Sequence, residues 1–264
     1  AGEPENGGGH LTRSMLLVKD LRKAGATAYV FPVEGVVHTR FRQLCTQYMF
    51  PEEEKPEERS WTFLVLDAFR SSAAAYERWS KLAPLVGLDE GGPFRSRFDF
   101  LIDMLPNLER KNPPNCLVPL WLQVPQQRKP LFAYTGKRVL VSFGTEDAAG
   151  LSVPAACSLA EQGFLVDVVF GPLCSNVAEK KKVLEQYPGL RILAPRDDLK
   201  ETLFCYDLLI THFGLGAFEA LYARVPVLLV HPGSYHQKLS RHAALYACGT
   251  GPKNDRGNRY FASG

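Results

Sequence analysis

Short apolar runs alternate with stretches of helical spacing along the first part of this chain, and this alternation constrains the fold more than any other sequence feature. Apolar residues at helical spacing end at a glycine, which predicts a helix over residues 10–24 that Gly25 terminates. A second helix is predicted over 73–82, and strands are predicted over 27–31, 61–66, 85–88 and 100–104. Strands separated by helices in this order favour a parallel sheet of the α/β class.

A proline-rich stretch interrupts the alternation, with prolines at positions 106, 113, 114, 119, 125 and 130. Each proline fixes φ and lacks a backbone N–H, so we expect no regular element there. A length of 264 residues suits two domains of ordinary size. We therefore expect an N-terminal domain over 1–105, an interdomain connection over 106–136 and a C-terminal domain over 137–264.

A second series of elements begins after this connection. Strands are predicted over 138–143, 165–170, 191–193, 208–211 and 225–230, and helices over 153–162, 176–186, 199–204, 217–223 and 237–247. The whole chain therefore predicts two Rossmann-like, doubly wound α/β domains. Ligands of such sheets bind beyond the carboxyl ends of the strands, so we expect the functional residues in a cleft that these ends face.

Charge and cysteine content exclude several classes of function. The formal net charge is only +3 and the positive residues are scattered, so we expect neither a nucleic-acid partner nor a basic membrane-surface patch. No apolar run approaches the roughly 18 residues that a membrane span requires. The six cysteines form no CxxC pair and no metal-binding spacing, which favours a cytoplasmic protein with no metal or other cofactor.

Three glycines at positions 7, 8 and 9 bring His10 to the start of the first helix. Glycine lets the backbone approach a phosphate or a sugar closely, and a helix N-terminus adds partial positive charge. Histidine is mostly neutral at cytoplasmic pH, so it can act there as a general base. The alternative is an exposed histidine on a solvated N-terminal tail.

A second candidate segment, residues 211–220, passes from a strand through Gly214 and Gly216 into a helix. Such a passage binds phosphates on backbone amides. We expect Glu219 in the first turn of that helix, where a carboxylate accepts hydrogen bonds from ribose hydroxyls. The alternative is a carboxylate that only complements the helix dipole.

A third segment, residues 234–243, opens the helix after the strand over 225–230. Polar side chains at such a helix start suit nucleotide binding, and His236 and Gln237 are the candidates. His236 and His242 are equally typical of an ordinary protein surface.

Together these segments resemble one enzyme family. The glycine run with His10 is followed by Arg13, three places further on, and the second domain has a glycine-loop-Glu segment and a His-Gln segment. A strand ending at Asp67, the stretch 98–107 and the stretch 139–147 with Gly144 match in the same order. The pattern resembles the UDP-sugar hydrolases of the pseudaminic acid pathway (PseG) and their spore-coat polysaccharide relatives (SpsG). These are similar to MurG, the N-acetylglucosaminyl transferase of peptidoglycan synthesis.

This resemblance implies a GT-B fold and hydrolysis of a UDP-linked amino or deoxy sugar at the anomeric C–O bond. UDP and a free sugar for a surface or flagellar glycan would be the products. The resemblance implies that His10 activates the water and that Asp67 orients the sugar or the histidine. It assigns substrate binding to Gly8, Gly9, Arg13, Gly144, Gly214, Gly216, Glu219, His236 and Gln237.

Two alternatives to hydrolysis stay open. A MurG-like glycosyltransferase would use the same UDP-sugar donor with an acceptor other than water, and a catalytically silent subunit would only bind the nucleotide sugar. The family's first strand, and its last strand and helix after Cys248, have no counterpart in the sequence. We therefore expect a trimmed piece, or part of a longer polypeptide fused to or partnered with a nucleotidyltransferase.

Overall fold

The computed structural model describes residues 9–33, 42, 45–46, 55–68, 70–106, 112–117, 124–145, 147, 149–172, 174–196 and 198–250. The chain divides into two compact units, residues 1–119 and residues 120–264, and the division falls within the proline-rich stretch. Each unit contains one sheet, and every strand pair in both sheets is parallel. The predicted α/β class with two parallel sheets is therefore confirmed.

The first unit holds a four-stranded sheet in the order β1-β2-β3-β4. Its strands are β1 (Leu64–Asp67), β2 (Leu85–Leu88), β3 (Phe100–Asp103) and β4 (Cys116–Leu117), and its helices include α1 (Gly9–Lys23) and α2 (Ala73–Ser80). The Ser72 hydroxyl caps α2 by accepting the N–H of Ala75 at 3.1 Å. Buried Leu66, Trp79 and Leu101 pack this sheet against α2.

Two predictions for the first unit are wrong. Residues 27–31 form no strand. The ring of Phe31 lies 5.6 Å from that of Trp61 and 6.3 Å from that of Trp79 between centroids, so this β-prone segment contributes aromatic packing instead of a ladder. Cys116–Leu117 does form a short strand among the prolines, because it pairs with β3 through Ile102 and Asp103.

The second unit holds a six-stranded sheet in the order β10-β9-β8-β5-β6-β7. Its strands are β5 (Arg138–Val141), β6 (Leu165–Val169), β7 (Leu190–Leu193), β8 (Leu208–Thr211), β9 (Val227–His231) and β10 (Ala247–Thr250). Its helices are α3 (Ser152–Glu161), α4 (Val177–Leu184), α5 (Leu215–Tyr222) and α6 (Ser234–His242). The chain proceeds outward from β5 to β7 and then returns to the other side of β5 at β8. The strand order therefore reverses between β5 and β8, which is where such sheets bind ligands.

The end of the described chain corrects further predictions. Ala247–Thr250 is a strand paired with β9, and the preceding helix is Ser234–His242, so the predicted helix over 237–247 begins and ends too late. The family's strand and helix after Cys248 would fall mainly on residues outside the described ones. The predicted helix over 199–204 is a 3-10 helix, Leu199–Cys205. None of the described helices is both long and apolar enough to cross a membrane.

Candidate functional site

Two aspartates stand at the carboxyl edge of the first sheet. Asp67 is the last residue of β1, and Asp89 directly follows β2. Helix α1 faces them with His10, Arg13 and Ser14, whose spacing of three and four residues puts them on one face of the helix. The structure therefore brings together three of the residues singled out in the sequence: His10, Arg13 and Asp67.

Asp67 is bonded to all three residues of α1. Nδ1 of His10 lies 2.6 Å from Oδ1 of Asp67. Nε of Arg13 and the hydroxyl of Ser14 both donate to Oδ2, at 3.0 Å and 2.9 Å. The Arg13 guanidinium also forms ion pairs with Oδ1 of Asp67 and with Asp89.

Burial and charge determine the ionisation of this group. Asp67 is 5% exposed and Arg13 is 9% exposed. Burial alone would raise the pKa of Asp67, but the charge of Arg13 and the hydrogen bond from His10 lower it well below its usual range. Burial opposes the charge of Arg13 as well, yet its contacts with Asp67 and Asp89 raise its pKa. Asp67 is therefore an anion, and Arg13 a cation, at neutral pH.

The hydrogen bond from His10 to Asp67 selects one tautomer of the histidine. An ionised carboxylate only accepts hydrogen bonds, so Nδ1 of His10 carries the hydrogen in this contact. In the neutral ring the basic lone pair then lies on Nε2. A histidine held through Nδ1 by a carboxylate has the arrangement of a general base.

Asp89 is a residue of this site that the sequence patterns did not indicate. It adopts a left-handed conformation with φ of +53°. Its Oδ1 accepts the N–H groups of Met104 (2.6 Å) and Leu105 (3.0 Å), which follow β3, while its other oxygen pairs with Arg13. A polar residue directly after a strand, the signal that identified Asp67, applies to Asp89 too.

The second unit has its candidate residues at the reversal of strand order. The loop after β5 contains Gly144, and the loop after β8 contains His212 and Gly214. Nε2 of His212 lies 3.1 Å from the carbonyl oxygen of Phe143, and Nδ1 lies 2.8 Å from that of Phe213. A Cβ atom added at either glycine would stand 3.4 Å from the His212 ring, so both loops pack closely around this histidine.

His231, the last residue of β9, connects these loops to α6. Its Nδ1 accepts the N–H of Phe213 at 3.3 Å, and its Nε2 lies 2.8 Å from the hydroxyl of Ser240. That hydroxyl donates to the carbonyl oxygen of Gln237 at 2.9 Å, so it accepts from Nε2. Burial, together with the neighbouring His236 and His212, lowers the pKa of His231 to about 4. His231 is therefore a neutral residue with both nitrogens bonded, and it joins the loop after β8 to α6.

His236 lies in the first turn of α6, with its ring centroid 5.6 Å from that of His212. Burial, with a contribution from His212, lowers its pKa to about 4. Gln237 follows in the same helix. The structure thus places the predicted residue His236 beside His212, in the loop that contains Gly214.

The prediction that Glu219 lies in the first turn of its helix is wrong, because α5 begins at Leu215. It lies in the second turn. Burial raises the pKa of Glu219 to about 7, Lys200 opposes this rise and Glu201 adds to it. Gly216 lies at the start of the same helix, and a Cβ atom there would meet nothing within 4 Å outside the helix backbone.

Two further predictions concern residues at the margin of the description. Gly8 lies outside the described residues, and Gly9 is the first residue of α1.

Within the described residues, no group of three or more His, Cys, Asp or Glu side chains is arranged to hold a metal ion.

Comparison with known proteins yields one partial sequence match. No protein-family model matches the chain. Over 100 residues, 36% of this chain, it is 29% identical to the uncharacterized protein MJ1062 of Methanocaldococcus jannaschii, and the match covers 21% of that protein.

Solved structures that resemble the chain include glycosyltransferases. The GtfA/B complex aligns with 74% of this chain and 47% of its own, at 14% identity and a TM-score of 0.47. A glycosyltransferase of Rickettsia africae aligns with 92% of this chain and 80% of its own, at 11% identity and a TM-score of 0.43. The E. coli heptosyltransferase WaaC, with ADP-2-deoxy-2-fluoro heptose, aligns with 88% and 74%, at 11% identity and a TM-score of 0.37.

Proposed function

We propose that this protein is an enzyme that transfers the glycosyl group of a nucleotide sugar to an oxygen nucleophile activated by His10. UDP is the nucleotide that the resemblance to PseG, SpsG and MurG implies. Hydrolysis is the case in which the nucleophile is water, and glycosyl transfer is the case in which it is an acceptor hydroxyl. Both break the bond between the anomeric carbon and the diphosphate oxygen.

The contact of His10 with Asp67 carries this proposal. Arg13 and Ser14 already supply Asp67 with hydrogen bonds and a compensating charge. A histidine is therefore not needed to satisfy the buried carboxylate. Its presence 2.6 Å away instead sets the tautomer and orientation of the imidazole, which is what a general base requires.

In the proposed step, the oxygen of the nucleophile attacks the anomeric carbon while its proton passes to Nε2 of His10. The bond from the anomeric carbon to the diphosphate breaks, and its electron pair leaves with the nucleotide. The imidazolium that forms is stabilised by the ionised carboxylate of Asp67. Loss of the nucleotide and return of the proton to solvent complete the cycle.

Nucleotide binding is assigned to the second unit, at the carboxyl ends of β5 and β8. No side chain of the described residues caps the start of α5 at Gly214, so the first N–H groups of that helix suit the oxygens of a diphosphate. In this proposal Gly216 allows close approach of the phosphates, and Glu219 accepts hydrogen bonds from the ribose. A cytoplasmic location and a nucleotidyltransferase partner stay predictions from the sequence.

Nucleotide release is the direct test. Purified protein is incubated with a panel of UDP-sugars in water alone and with added sugar or lipid-linked acceptors, and UDP formed is measured. UDP formed in water alone supports the hydrolase, and UDP formed only with an acceptor supports the transferase. Binding of UDP with no turnover under either condition indicates the silent subunit and contradicts the role of His10.

A further inference from the structure

A tight turn just before the second sheet has two large apolar residues at its centre. The N–H of Ala133 donates to the carbonyl oxygen of Pro130 at 3.1 Å, so Leu131 and Phe132 occupy the two central positions. Glycine, proline and small polar residues dominate such turns, so two large apolar side chains stand out there. Leu131 is 65% exposed and Phe132 is 100% exposed. We call residues 130–133 the apolar turn.

Both ends of the apolar turn are fixed to the second unit. Before it, the N–H of Lys129 donates to Ala223 at 2.8 Å, and its ammonium lies 3.0 Å from Asp207. After it, the hydroxyl of Tyr134 donates to the carbonyl oxygen of Arg224. The turn is therefore ordered before any partner binds, so its two side chains are presented with little further loss of conformational entropy.

These contacts place the apolar turn at the amino edge of the second sheet. Asp207 directly precedes β8, Arg224 lies in the connection that leads into β9, and the turn itself leads into β5 at Arg138. The nucleotide site is assigned to the carboxyl ends of the same strands. The two features therefore lie at opposite edges of one sheet.

Exposed cations and further apolar surface lie at the same amino edge. Arg138 and Leu165 are the first residues of β5 and β6, and they line a cavity of about 550 Å³ together with Arg191 of β7. Arg138 is 43% exposed, Arg191 is 63% exposed and Leu165 is 52% exposed. Arg191, at 2.7 Å, and Arg138, at 3.9 Å, share the carboxylate of Asp167, so two cations face one anion in this cavity. The exposed Lys137, which directly precedes β5, adds a further positive charge at this edge.

We propose that this amino edge docks on a membrane surface that contains anionic lipids. Leu131 and Phe132 enter the interface, and Lys137, Arg138 and Arg191 face the head-group phosphates. Peripheral binding combines inserted apolar area with attraction of basic side chains to anionic lipid, and this edge presents both. A nucleic acid would pair with the cations but would not bury the exposed Leu131 and Phe132. A neutral protein partner would bury these two side chains but would not pair with the cations. Docking by this edge keeps the opposite, carboxyl edge accessible to a nucleotide.

Vesicle sedimentation tests the proposal. Purified protein is mixed with vesicles of phosphatidylcholine alone, or of phosphatidylcholine with phosphatidylglycerol. We expect binding to the anionic vesicles that falls as salt is raised. Replacing both Leu131→Ser and Phe132→Ser lowers the partition coefficient by about tenfold or more, because two exposed apolar side chains are removed from the interface. Lys137→Glu lowers it by about tenfold through charge reversal near the anionic surface.

Matched variants control for apolar surface and for charge. Phe63→Ser removes an exposed phenylalanine of the first unit, and Lys81→Glu reverses an exposed lysine just after α2 of the same unit. Both leave vesicle binding unchanged. Absence of binding to anionic vesicles, or equal binding of the parent and the Leu131/Phe132 variant, overturns the proposal. So does light scattering that shows a dimer for the parent and a monomer for that variant, because the apolar turn would then join two copies of the chain. The proposal does not depend on the proposed enzymatic function.

Discussion

His10 and Asp67 are 57 residues apart in the sequence, yet Nδ1 of the first lies 2.6 Å from Oδ1 of the second. Helix α1 supplies the histidine and the end of β1 supplies the carboxylate. Arg13 and Ser14 hold the same carboxylate from the same helix face, so the acceptor of the His10 hydrogen bond is fixed at the sheet edge. The first two predictions separate the chemical role of this pair from its structural role.

Substitution His10→Asn is expected to lower UDP release by about two to four orders of magnitude, the usual contribution of a positioned base. UDP affinity, measured by calorimetry, is expected to be unchanged because the nucleotide is assigned to the second unit. His242→Asn makes the same change at an exposed position at the end of α6 and leaves both quantities as they are. Turnover that persists in the His10→Asn protein contradicts the mechanism, even where the fold and the substrate class are right.

Substitution Asp67→Asn affects stability as well as activity. It leaves the buried Arg13 with Asp89 as its only carboxylate partner among the described residues. Removing one partner of a buried ion pair costs about 3–5 kcal/mol, which urea unfolding measures. Because the pKa of Asp67 is depressed in the fold, its contribution is present above the ordinary aspartate pKa and is lost as the pH falls.

A matched control for Asp67→Asn is Asp198→Asn, which removes an exposed pair with Arg196. The unfolding midpoint of this variant is expected to stay at the parent value. An Asp67→Asn protein as stable as the parent would show that Arg13 finds compensation elsewhere.

His231 is expected to make the protein less stable in acid. Its pKa is about 4 in the fold and 6.5 as an ordinary value, so between these pH values the unfolded chain binds more protons. Stability therefore rises with pH across this window and is lost as the pH falls through it. Between pH 4 and 7 this residue adds about 1–3 kcal/mol to the rise of the unfolding free energy with pH. The substitution His231→Gln is expected to remove that contribution, which urea unfolding at each pH measures. An unchanged slope in the variant contradicts the buried neutral histidine.

Much of the fold follows from the sequence because the strands of parallel sheets are continuous apolar runs. The bounds of β2 and β8 agree with prediction residue by residue for this reason. Strand β10 has the sequence Ala-Cys-Gly-Thr, which is weakly β-prone, and it exists because β9 offers a free edge for pairing. Residues 27–31 show the converse, since their β-prone side chains are used in aromatic packing.

The candidate site could be predicted only in part. The position of His10 and Asp67 follows from a helix start and a strand end, both visible in the sequence. Asp89 directly follows a predicted strand, so the signal that identified Asp67 could have found it. Its contact with Met104 and that of His231 with Phe213 join distant parts of the chain, which no local pattern reports. The basic amino edge of the second sheet was missed for the same reason, because its arginines are scattered in the sequence and the strand starts bring them together.

Two glycines of the second unit are expected to respond oppositely to alanine. A Cβ atom at Gly171 would lie closer than 3.0 Å to backbone atoms of Gly144 and Thr145, so the loop after β5 must shift. We expect Gly171→Ala to lower stability by about 1–3 kcal/mol and to weaken UDP binding. Gly216→Ala meets no such obstacle and gains helix propensity of about 0.5–1 kcal/mol.

The two glycine variants are compared by thermal unfolding and by UDP titration. If phosphates approach the backbone at Gly216, its alanine variant binds UDP more weakly although it is at least as stable as the parent. Equal UDP affinity of Gly216→Ala and the parent would remove Gly216 from the phosphate site.

Glu219 provides the sharpest test of the nucleotide assignment, because stability and binding should move in opposite directions. Burial raises its pKa in the fold to about 7, against an ordinary value of 4.5. Between these values the folded protein binds more protons, so its stability falls as the pH rises and the full loss is reached above pH 7. Glu219→Gln cannot ionise and should be more stable than the parent by about 1–3 kcal/mol at pH 8, with little difference at pH 4.

Ribose hydroxyls donate to the ionised carboxylate, so the affinity of the parent for UDP should rise relative to the variant as the pH passes 7. The ratio of the two affinities at each pH cancels the titration of the phosphate itself. Glu185→Gln, at an exposed position just after α4, should change neither quantity. A Glu219→Gln protein that gains stability at pH 8 and keeps the parent's UDP affinity at every pH would show a carboxylate buried by packing alone, and the ribose would have to be held elsewhere.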